Sequence, residues 1–314
     1  MQRFFHKFIT LTDTHTQRSI AIVVGLGKSG VGAAKLLAHQ GYRVKIIEQS
    51  TSKRFKKICS ELNDLGISVE FEKPLKMSSF EPWLENLSLV VISPSIPWDN
   101  QTLDELRDLG IKVQGEISLA WNKLKHIPWV GITGTNGKTT VSKMLHHVLT
   151  KNEINAQIGG NIGTAASEIA LRAEKNKDKL PSWLIIELSS YQIEEAPEIS
   201  PKIGIWTTFT PDHLDRHKTL EKYFAIKQRL LEQSSMRIYN SDDESLRENS
   251  HKLKAGIWIS AKGQRSSINP AKFWINREGI ILEGDNKLFS SSILKLPGRH
   301  NLQNLLMVTS AARE

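Results

Sequence analysis

The sequence predicts an α/β protein with two domains, and three observations support this. Short apolar runs alternate with amphipathic stretches along most of the 314 residues, which is the pattern of strands and crossover helices in a parallel sheet. Two glycine-rich turns, "GLGKSG" at 25–30 and "GITGTNGKTT" at 131–140, each lie at the junction between an apolar run and an amphipathic stretch. The chain is also too long to fold around one typical hydrophobic core.

The first domain is predicted to span residues 19–125. Its strands are expected at 20–24, 43–48, 67–71 and 89–93, and its helices at 28–40, 101–109 and 115–124. Pro128 interrupts the pattern just after this domain. Residues 1–18 have no continuous apolar core of the kind that a signal peptide needs, so we expect them to form a disordered extension.

The second domain is predicted to span residues 126–314. Strands are expected at 129–133, 183–188 and 203–209, and helices at 138–150 and 219–233. Between residues 236 and 297 the short segments separated by turn residues indicate a small antiparallel excursion. The sequence stops inside a helix that begins near Asn301, so we expect this domain to be incomplete at its C-terminal end.

The composition limits the function classes. A single cysteine excludes an intramolecular disulfide, and no run approaches the ~18 apolar residues of a membrane helix, so we expect a cytoplasmic protein without membrane insertion. The formal net charge is +9, but the basic residues are scattered among carboxylates without interleaved aromatic residues. This pattern favours a solvated surface over nucleic-acid binding. A monomer is the expected state.

The first glycine loop, residues 25–30, fits G-x-G-x-x-G between a strand and a helix. Glycines at these positions let the backbone approach a diphosphate, and Glu48, at the end of the next strand, is placed to accept hydrogen bonds from ribose hydroxyls. The expected binding residues of this Rossmann-like domain are Gly25, Leu26, Gly27, Lys28, Ser29, Gly30 and Glu48. Alone, the loop predicts NAD or FAD and hence a dehydrogenase, with an unliganded tight turn as the alternative.

The second glycine loop, residues 131–140, departs from the G-x-x-x-x-G-K-[ST] pattern, because Ile132 stands where the first glycine would be. Its physical features remain those of a P-loop: two glycines let the backbone wrap a phosphate, Lys138 can reach the β and γ oxygens, and Thr139 can ligate Mg²⁺. The expected ATP-binding residues are Gly134, Thr135, Asn136, Gly137, Lys138, Thr139 and Thr140. A dehydrogenase has no use for a nucleoside triphosphate, so this loop argues against that function.

Four more polar residues are candidates, each with a simpler alternative. Glu187 ends an apolar strand and would be costly there unless it held a cation or a salt bridge. His213 lies between two aspartates and is either a ligand or a surface histidine. Asn161, in "GGNIGT", belongs to a ligand site or a plain turn. Lys227 lies among apolar helix residues and either extends its amine to water or loses its proton and becomes reactive.

Five motifs in order resemble those of the Mur ligase family: "GTNGKTT", "GGNIG", "ELSSYQIE", "DHLDRH" and "GRHNLQN". The combination of "ELSSYQIE" with "GLGKSG" resembles the D-glutamate-adding branch of that family, and the resemblance spans residues 19–314. It implies that the first domain holds the UDP of a nucleotide-sugar and that the central domain binds ATP.

The resemblance also implies a reaction. ATP would phosphorylate the carboxylate of UDP-N-acetylmuramoyl-L-alanine, a peptidoglycan precursor, and the amine of D-glutamate would displace phosphate from the acyl phosphate. Two Mg²⁺ ions would offset the negative charge that gathers there. The alternative is a non-catalytic module that binds a nucleotide or a nucleotide-sugar.

The residue roles that the resemblance implies fall into three groups. Lys138 would contact the β/γ-phosphates, and Lys138, Glu187, His213 and Lys227 form the catalytic set. Thr139, Glu187, His213 and Lys227 would serve the two metal ions, with Lys227 carried as a carbamate. Asn161 and His213 would lie near the muramoyl substrate, and Asn301 and Asn304 near the adenine.

Three features depart from the family pattern. Glu48 stands where aspartate is more frequent, and Ser95 stands where glycine is common. The third domain of Mur ligases, which contacts D-glutamate and closes over ATP, has no counterpart in these 314 residues. We therefore expect the chain as given to bind its substrates but to ligate them poorly.

Overall fold

The computed structural model describes residues 19–51, 55–264 and 269–314. The predicted extension at residues 1–18 lies outside the described residues. None of the helices in the described ranges combines the length and the apolar character that a membrane span requires.

The first sheet has five parallel strands in the order β3-β2-β1-β4-β5. Its elements are β1 (Ile20–Val24), α1 (Lys28–His39), β2 (Arg43–Ile47), α2 (Lys56–Asn63), β3 (Ser68–Glu70), β4 (Leu87–Ile92), α3 (Gln101–Asp108), β5 (Lys112–Gly115) and α4 (Glu116–Leu124). The strand order reverses between β1 and β4. Open α/β sheets bind ligands outside the carboxyl ends of the strands at such a reversal.

The second sheet has nine strands in the order β14-β13-β12-β11-β10-β9-β6-β8-β7. Its elements begin with β6 (Trp129–Thr133), α5 (Lys138–Lys151), β7 (Ala156–Gly160), α6 (Ala166–Lys175), β8 (Trp183–Glu187), α7 (Ser190–Glu194), β9 (Ile203–Trp206), α8 (Leu214–His217) and α9 (Leu220–Gln233). They continue with β10 (Met236–Asn240), α10 (Glu244–Glu248), β11 (Ile257–Ser260), β12 (Phe273–Ile275), β13 (Ile280–Glu283), β14 (Asn286–Ser290) and α11 (Arg299–Ala312). The predicted α/β class with two sheets is confirmed.

The antiparallel excursion is shorter than the sequence predicts. The turn-rich pattern begins at residue 236, but β10 pairs in parallel with β9 and β11, and β11 pairs in parallel with β12. Only β12–β13 and β13–β14 are antiparallel among the described strands of this region. The buried ends of β10 and β11 extend the central core, where the apolar side chains of α11 also pack.

The two sheets share a continuous core. Small residues bring α1 against α6: a Cβ on Gly32 would lie 2.6 Å from Ser167 Oγ. The Trp121 ring on α4 contacts the Trp129 ring on β6, edge to face, with 5.0 Å between centroids. The predicted domain boundary between residues 125 and 126 falls in the short connection between α4 and β6. The helices of the first domain therefore pack directly against the central domain.

Candidate active site

The second glycine loop joins β6 to α5 and requires its glycines. Gly134 and Gly137 have φ values of 145° and 86°, in the region that side chains rarely adopt. A Cβ on Gly134 would also lie 2.0 Å from Thr207 Oγ1. Thr208, which follows β9, anchors this loop through two hydrogen bonds. Its carbonyl oxygen accepts from the Thr135 N–H at 2.9 Å, and its Oγ1 accepts from the Asn136 N–H at 2.9 Å.

Lys138 begins α5, and its amine lies within the turn. The Nζ donates to the carbonyl oxygens of Gly134 and Thr135, both at 2.8 Å. Burial lowers the pKa of this amine, while the negative charges of Glu187 and Asp212 act to raise it. The amine therefore sits where the loop would surround a phosphate.

Glu187 ends β8 with 1% of its surface exposed. Thr139 Oγ1 donates to its Oε2 at 2.8 Å, and Asn161 Nδ2 donates to its Oε1 at 2.9 Å. These two contacts satisfy the buried carboxylate, so its described partners are a hydroxyl and an amide and not the salt bridge left open by the sequence. The structure thus brings together three residues predicted from separate motifs.

A carboxylate beside a hydroxyl suits Mg²⁺, which prefers oxygen ligands and is typically shared between one or two carboxylates and substrate phosphates. Thr139 and Glu187 provide such a pair next to the second glycine loop. Among the described residues no group of three or more His, Cys, Asp and Glu side chains gathers as an all-protein metal site. The donor set therefore fits a metal held jointly with a phosphate-bearing ligand.

Lys227, on α9, is 1% exposed, so the alternative that its amine reaches water is wrong. Its Nζ donates to Thr133 Oγ1 at 3.3 Å and to the Gly134 carbonyl at 3.2 Å. Burial, together with the positive charge of Lys138, lowers the pKa of Lys227 to about 7, and the charge of Asp212 opposes both. Burial thus favours the uncharged form of this amine.

His213 precedes α8 with φ 53° in the left-handed region. Its Nε2 lies 3.4 Å from Asp212 Oδ2, and its ring centroid lies 5.1 Å from that of Tyr191. The imidazole is half-exposed at the edge of a cavity, so it is neither buried in the core nor an isolated surface residue.

That cavity, the main cavity, has a volume of about 390 Å³ and is lined by six residues of the predicted central-domain site. Its predicted members are Gly134, Thr135, Lys138, Asn161, His213 and Lys227. Its other members, which the sequence does not predict as site residues, are Pro94, Ser95, Ser189, Ser190, Tyr191, Asp212 and Tyr223. Pro94 and Ser95 follow β4, so both domains contribute to one cavity.

The first glycine loop lies at a different cavity. Gly25 has φ 100°, and a Cβ on Gly30 would lie 2.0 Å from the Gly25 carbonyl oxygen. Glu48 Oε2 accepts from the Leu26 N–H at 2.8 Å, and Ser50 donates to Oε1. Although burial acts to raise it, the pKa of Glu48 is lowered by hydrogen bonds from Ser50 and Leu26. The carboxylate thus holds the turn itself.

The interface cavity beside this loop has a volume of about 410 Å³ and lies between the domains. Leu26, Gly27 and Lys28 line it from the first glycine loop, and Gly163 and Thr164 line it from the central domain. The other residues of the predicted first-domain site, Gly25, Ser29, Gly30 and Glu48, are not among the residues that line this cavity. The two glycine loops therefore serve two neighbouring cavities.

Asn301 and Asn304 lie on the other side of the second glycine loop. Both are buried on α11, and Asn304 Nδ2 donates to Asn301 Oδ1 at 3.3 Å. A Cβ on Gly137 would lie 2.9 Å from Asn304 Oδ1. The pair is therefore next to the loop but outside the lining of the main cavity.

His217 is a further polar residue that the sequence did not single out. It is fully buried, and its Nε2 lies 2.8 Å from Ser190 Oγ. Burial is the main reason that the pKa of His217 falls to about 4, and the charges of Arg216, His213 and two lysines act in the same direction.

Comparison with known proteins identifies the family. The Mur ligase middle domain matches residues 132–312. The chain belongs to the Mur ligase family. The N-terminal domain described as Mur ligase MurD-like matches residues 19–115, so both sheets of this Mur ligase lie in matched regions. The resemblance inferred from the five motifs is confirmed.

Curated relatives agree. The chain is 57% identical over 295 residues to the UDP-N-acetylmuramoylalanine--D-glutamate ligase of one Prochlorococcus marinus strain, covering 94% of this chain and 63% of the relative. It is 50% identical to the protein of that name in Parasynechococcus marenigrum, covering 93% and 63%. This Mur ligase chain thus spans less than two thirds of the length of the curated relatives it matches.

Solved structures share the fold. The UDP-N-acetylmuramate:L-alanyl-gamma-D-glutamyl-meso-diaminopimelate ligase from Neisseria meningitides aligns with a TM-score of 0.62 at 18% identity, covering 94% of this chain and 93% of that one. A murein peptide ligase from Psychrobacter arcticus 273-4 aligns with a TM-score of 0.58 at 16% identity, covering 94% and 65%. These likenesses establish the Mur ligase fold.

Proposed function

We propose that this Mur ligase belongs to an ATP-dependent enzyme that joins D-glutamate to UDP-N-acetylmuramoyl-L-alanine in peptidoglycan synthesis. The names of the relatives at 57% and 50% identity support this substrate pair. The two cavities support it independently, because the reaction needs one site for a nucleotide-sugar and another for a nucleoside triphosphate.

The observation that carries the proposal is the position of the segment after β4. Ser93 Oγ donates to the Gly25 carbonyl at 3.5 Å, so the segment begins against the first glycine loop. Two residues later Ser95 lines the main cavity together with Lys138 and Lys227. A nucleotide-sugar whose diphosphate lies at the first glycine loop would therefore extend its acyl end toward the phosphate-binding turn.

The central domain would hold ATP. The turn from Gly134 to Thr140 would wrap the phosphates, with the Lys138 amine at the β and γ oxygens, and Asn301 and Asn304 would lie toward the adenine. Thr139 and Glu187 would hold one Mg²⁺, and His213 and Lys227 the second. The metal ions would supply positive charge that offsets the repulsion between ATP and the substrate carboxylate.

The chemistry balances as two displacements. A carboxylate oxygen of the alanyl group attacks the γ-phosphorus, and ADP leaves. The uncharged amine of D-glutamate then attacks the acyl carbon, the C–O bond to phosphate breaks, and the amide forms with loss of a proton. The chain's own residues orient the two substrates and surround the reacting oxygens with N–H and ammonium donors.

Lys227 would act as a carbamate. Its uncharged amine adds to the carbon of CO₂ and releases one proton, which converts the residue into an anion able to help position a metal ion. The burial of the amine and its pKa of about 7 support this modification, because the nucleophilic form is available at neutral pH.

Hydroxylamine trapping tests the activation step. The chain is incubated with Mg-ATP, hydroxylamine and UDP-N-acetylmuramoyl-L-alanine, with UDP-N-acetylglucosamine, which has no carboxylate, as the substrate control. In the complete mixture we expect ADP and an acyl hydroxamate with the muramoyl substrate but not with UDP-N-acetylglucosamine. Lys138→Ala should form neither product. If the wild-type chain binds both ligands but forms no hydroxamate, even after the third domain of a Mur ligase is added, the non-catalytic binding module is the better description.

A further inference from the structure

His217, the last residue of α8, is held rigidly beside the main cavity. Its ring centroid lies 5.2 Å from that of Tyr191 and 5.3 Å from that of Tyr223, stacked on the latter at 21°. Its Nε2 lies 2.8 Å from Ser190 Oγ, and the ring is fully buried. Tyr191, Tyr223 and Ser190 all line the main cavity, whereas His217 lies behind them.

The ring carries a single N–H. Burial is the main reason that the pKa of His217 is low, and the positive charges of Arg216 and Lys222 act in the same direction, so the surroundings favour a neutral imidazole. A neutral imidazole has one donor nitrogen and one acceptor nitrogen, and the hydrogen-bond partners decide which is which.

The partners of the two nitrogens differ. Nδ1 is buried and has no hydrogen-bond partner in the described part of the chain, whereas Nε2 faces the Ser190 hydroxyl. A buried N–H without an acceptor costs its full desolvation, so the proton belongs on Nε2, which then donates to Ser190 Oγ. The Ser190 hydroxyl hydrogen is left without an acceptor among the described residues, and Ser190 is the member of the pair that lines the main cavity.

We propose that His217 is a positioning residue that fixes the Ser190 hydroxyl as a hydrogen-bond donor to an anionic ligand oxygen in the main cavity. The identity of that oxygen rests on the proposed function: it is either the carboxylate of the muramoyl substrate or a phosphoryl oxygen of the nucleotide. Both are strong acceptors, and a donor fixed before binding loses no rotational freedom when the ligand arrives.

The tautomer is tested without any ligand. Nitrogen-15 NMR of protein labelled at histidine, with His217→Gln to assign the signal, distinguishes a protonated Nε2 from a protonated Nδ1. We expect the proton on Nε2. A proton on Nδ1 overturns the proposal, whether or not the protein proves to be a ligase.

Binding tests the donor. We expect Ser190→Ala and His217→Phe each to lower the affinity for one ligand about tenfold, as the loss of one hydrogen bond to an anion predicts. Phenylalanine keeps an aromatic ring at position 217 but has no N–H donor. His217→Gln places an amide N–H at similar reach and should restore most of the affinity. A role in packing alone predicts the reverse order, because phenylalanine fills the stack better than glutamine.

The probes are UDP-N-acetylmuramoyl-L-alanine and Mg-ATP, measured separately by calorimetry on variants whose thermal unfolding midpoints are also recorded. A loss confined to the first probe identifies the carboxylate, and a loss confined to the second identifies the phosphoryl oxygen. Unchanged affinity of Ser190→Ala for both probes overturns the proposal. If the wild-type chain binds neither probe, the proposed function fails, and the NMR result alone decides the tautomer.

Discussion

Lys138 and Lys227 donate hydrogen bonds to the same carbonyl oxygen, that of Gly134, at 2.8 and 3.2 Å. The two amines therefore converge on one atom of the second glycine loop although their residues lie on different helices. Burial is the main reason that the pKa of Lys227 falls to about 7, and the positive charge of Lys138 adds to it. Any change at Lys138 should thus alter the chemistry of Lys227.

The first prediction concerns that coupling. Replacing Lys138 by methionine removes the neighbouring charge, so the pKa of Lys227 rises and less of its amine is uncharged at pH 7. The measurement is ¹³C NMR of the protein in ¹³C-labelled bicarbonate. We expect the carbamate signal of the wild-type protein to increase as the pH rises through about 7, because the protonated amine cannot attack CO₂. In Lys138→Met the same increase should occur at higher pH.

Lys227→Met identifies the signal and should abolish it. An identical pH dependence in the wild type and in Lys138→Met would contradict the electrostatic coupling of the two lysines.

The second prediction concerns the charge on Glu187. Glu187→Gln keeps a polar side chain beside Thr139 and Asn161 but removes the anion, so Mg²⁺ should no longer increase the affinity for ADP. Glu187→Ala should in addition lower the free energy of unfolding by about 1–3 kcal/mol, because the two donors lose their buried acceptor. Calorimetry with and without Mg²⁺, together with urea denaturation, separates the two effects.

One result with Glu187→Gln would contradict this prediction. If Glu187→Gln retains the full effect of Mg²⁺ on ADP affinity, Glu187 is not a metal ligand.

The third prediction compares two glycines of the first glycine loop. A Cβ on Gly30 would lie 2.0 Å from the Gly25 carbonyl oxygen, whereas a Cβ on Gly27 would have no neighbour within 4 Å and its φ is an ordinary −80°. Gly30→Ala should therefore lower the free energy of unfolding by about 1–3 kcal/mol and lower the affinity for the muramoyl nucleotide. Gly27→Ala should cost less than about 1 kcal/mol.

Thermal and urea denaturation of both variants provide the comparison. Equal stability of the two variants would show that the loop moves freely enough to accept a methyl group at either position.

The fourth prediction concerns a contact between the domains. Arg216 on α8 donates to the Ile96 carbonyl at 2.8 Å and thereby holds the segment after β4 against the central domain. Arg216→Ala removes this hydrogen bond. The variant should bind the muramoyl nucleotide with about tenfold lower affinity and bind Mg-ADP with unchanged affinity. Lys218→Ala is the control, since the Lys218 amine donates only to the nearby Asp215 carbonyl among the described contacts.

A uniform loss for both ligands would mean that Arg216 supports the fold of the central domain instead of the contact between the domains. Titration of each variant with each ligand distinguishes the two outcomes.

The sequence predicts best those elements whose signal is local. The buried strands β1, β6 and β8 are continuous apolar runs, and the predicted bounds of each agree with the structure to within one residue. β7 escapes prediction because "AQIGG" ends in two glycines and offers little hydrophobic signal; its extended conformation depends on pairing with β8. Only tertiary structure supplies that pairing.

The site follows the same rule. Lys138, Glu187 and Lys227 each carry a local signal, namely a glycine turn or a charge in an apolar setting. Tyr191 and Tyr223 carry none, because they meet across the His217 ring from helices that are distant in sequence. The motif "ELSSYQIE" marks the segment, but only the fold shows that its second serine lies 2.8 Å from a buried histidine.

The central claim is that the second glycine loop binds the phosphates of an adenine nucleotide with Mg²⁺. Isothermal titration calorimetry of the wild-type chain with ADP or ATP tests it most directly, with Lys138→Ala as the control. We predict saturable binding that Mg²⁺ strengthens and that Lys138→Ala loses, while the free variant still unfolds in a cooperative thermal transition. Absence of magnesium-dependent binding by a folded wild-type sample would contradict the claim.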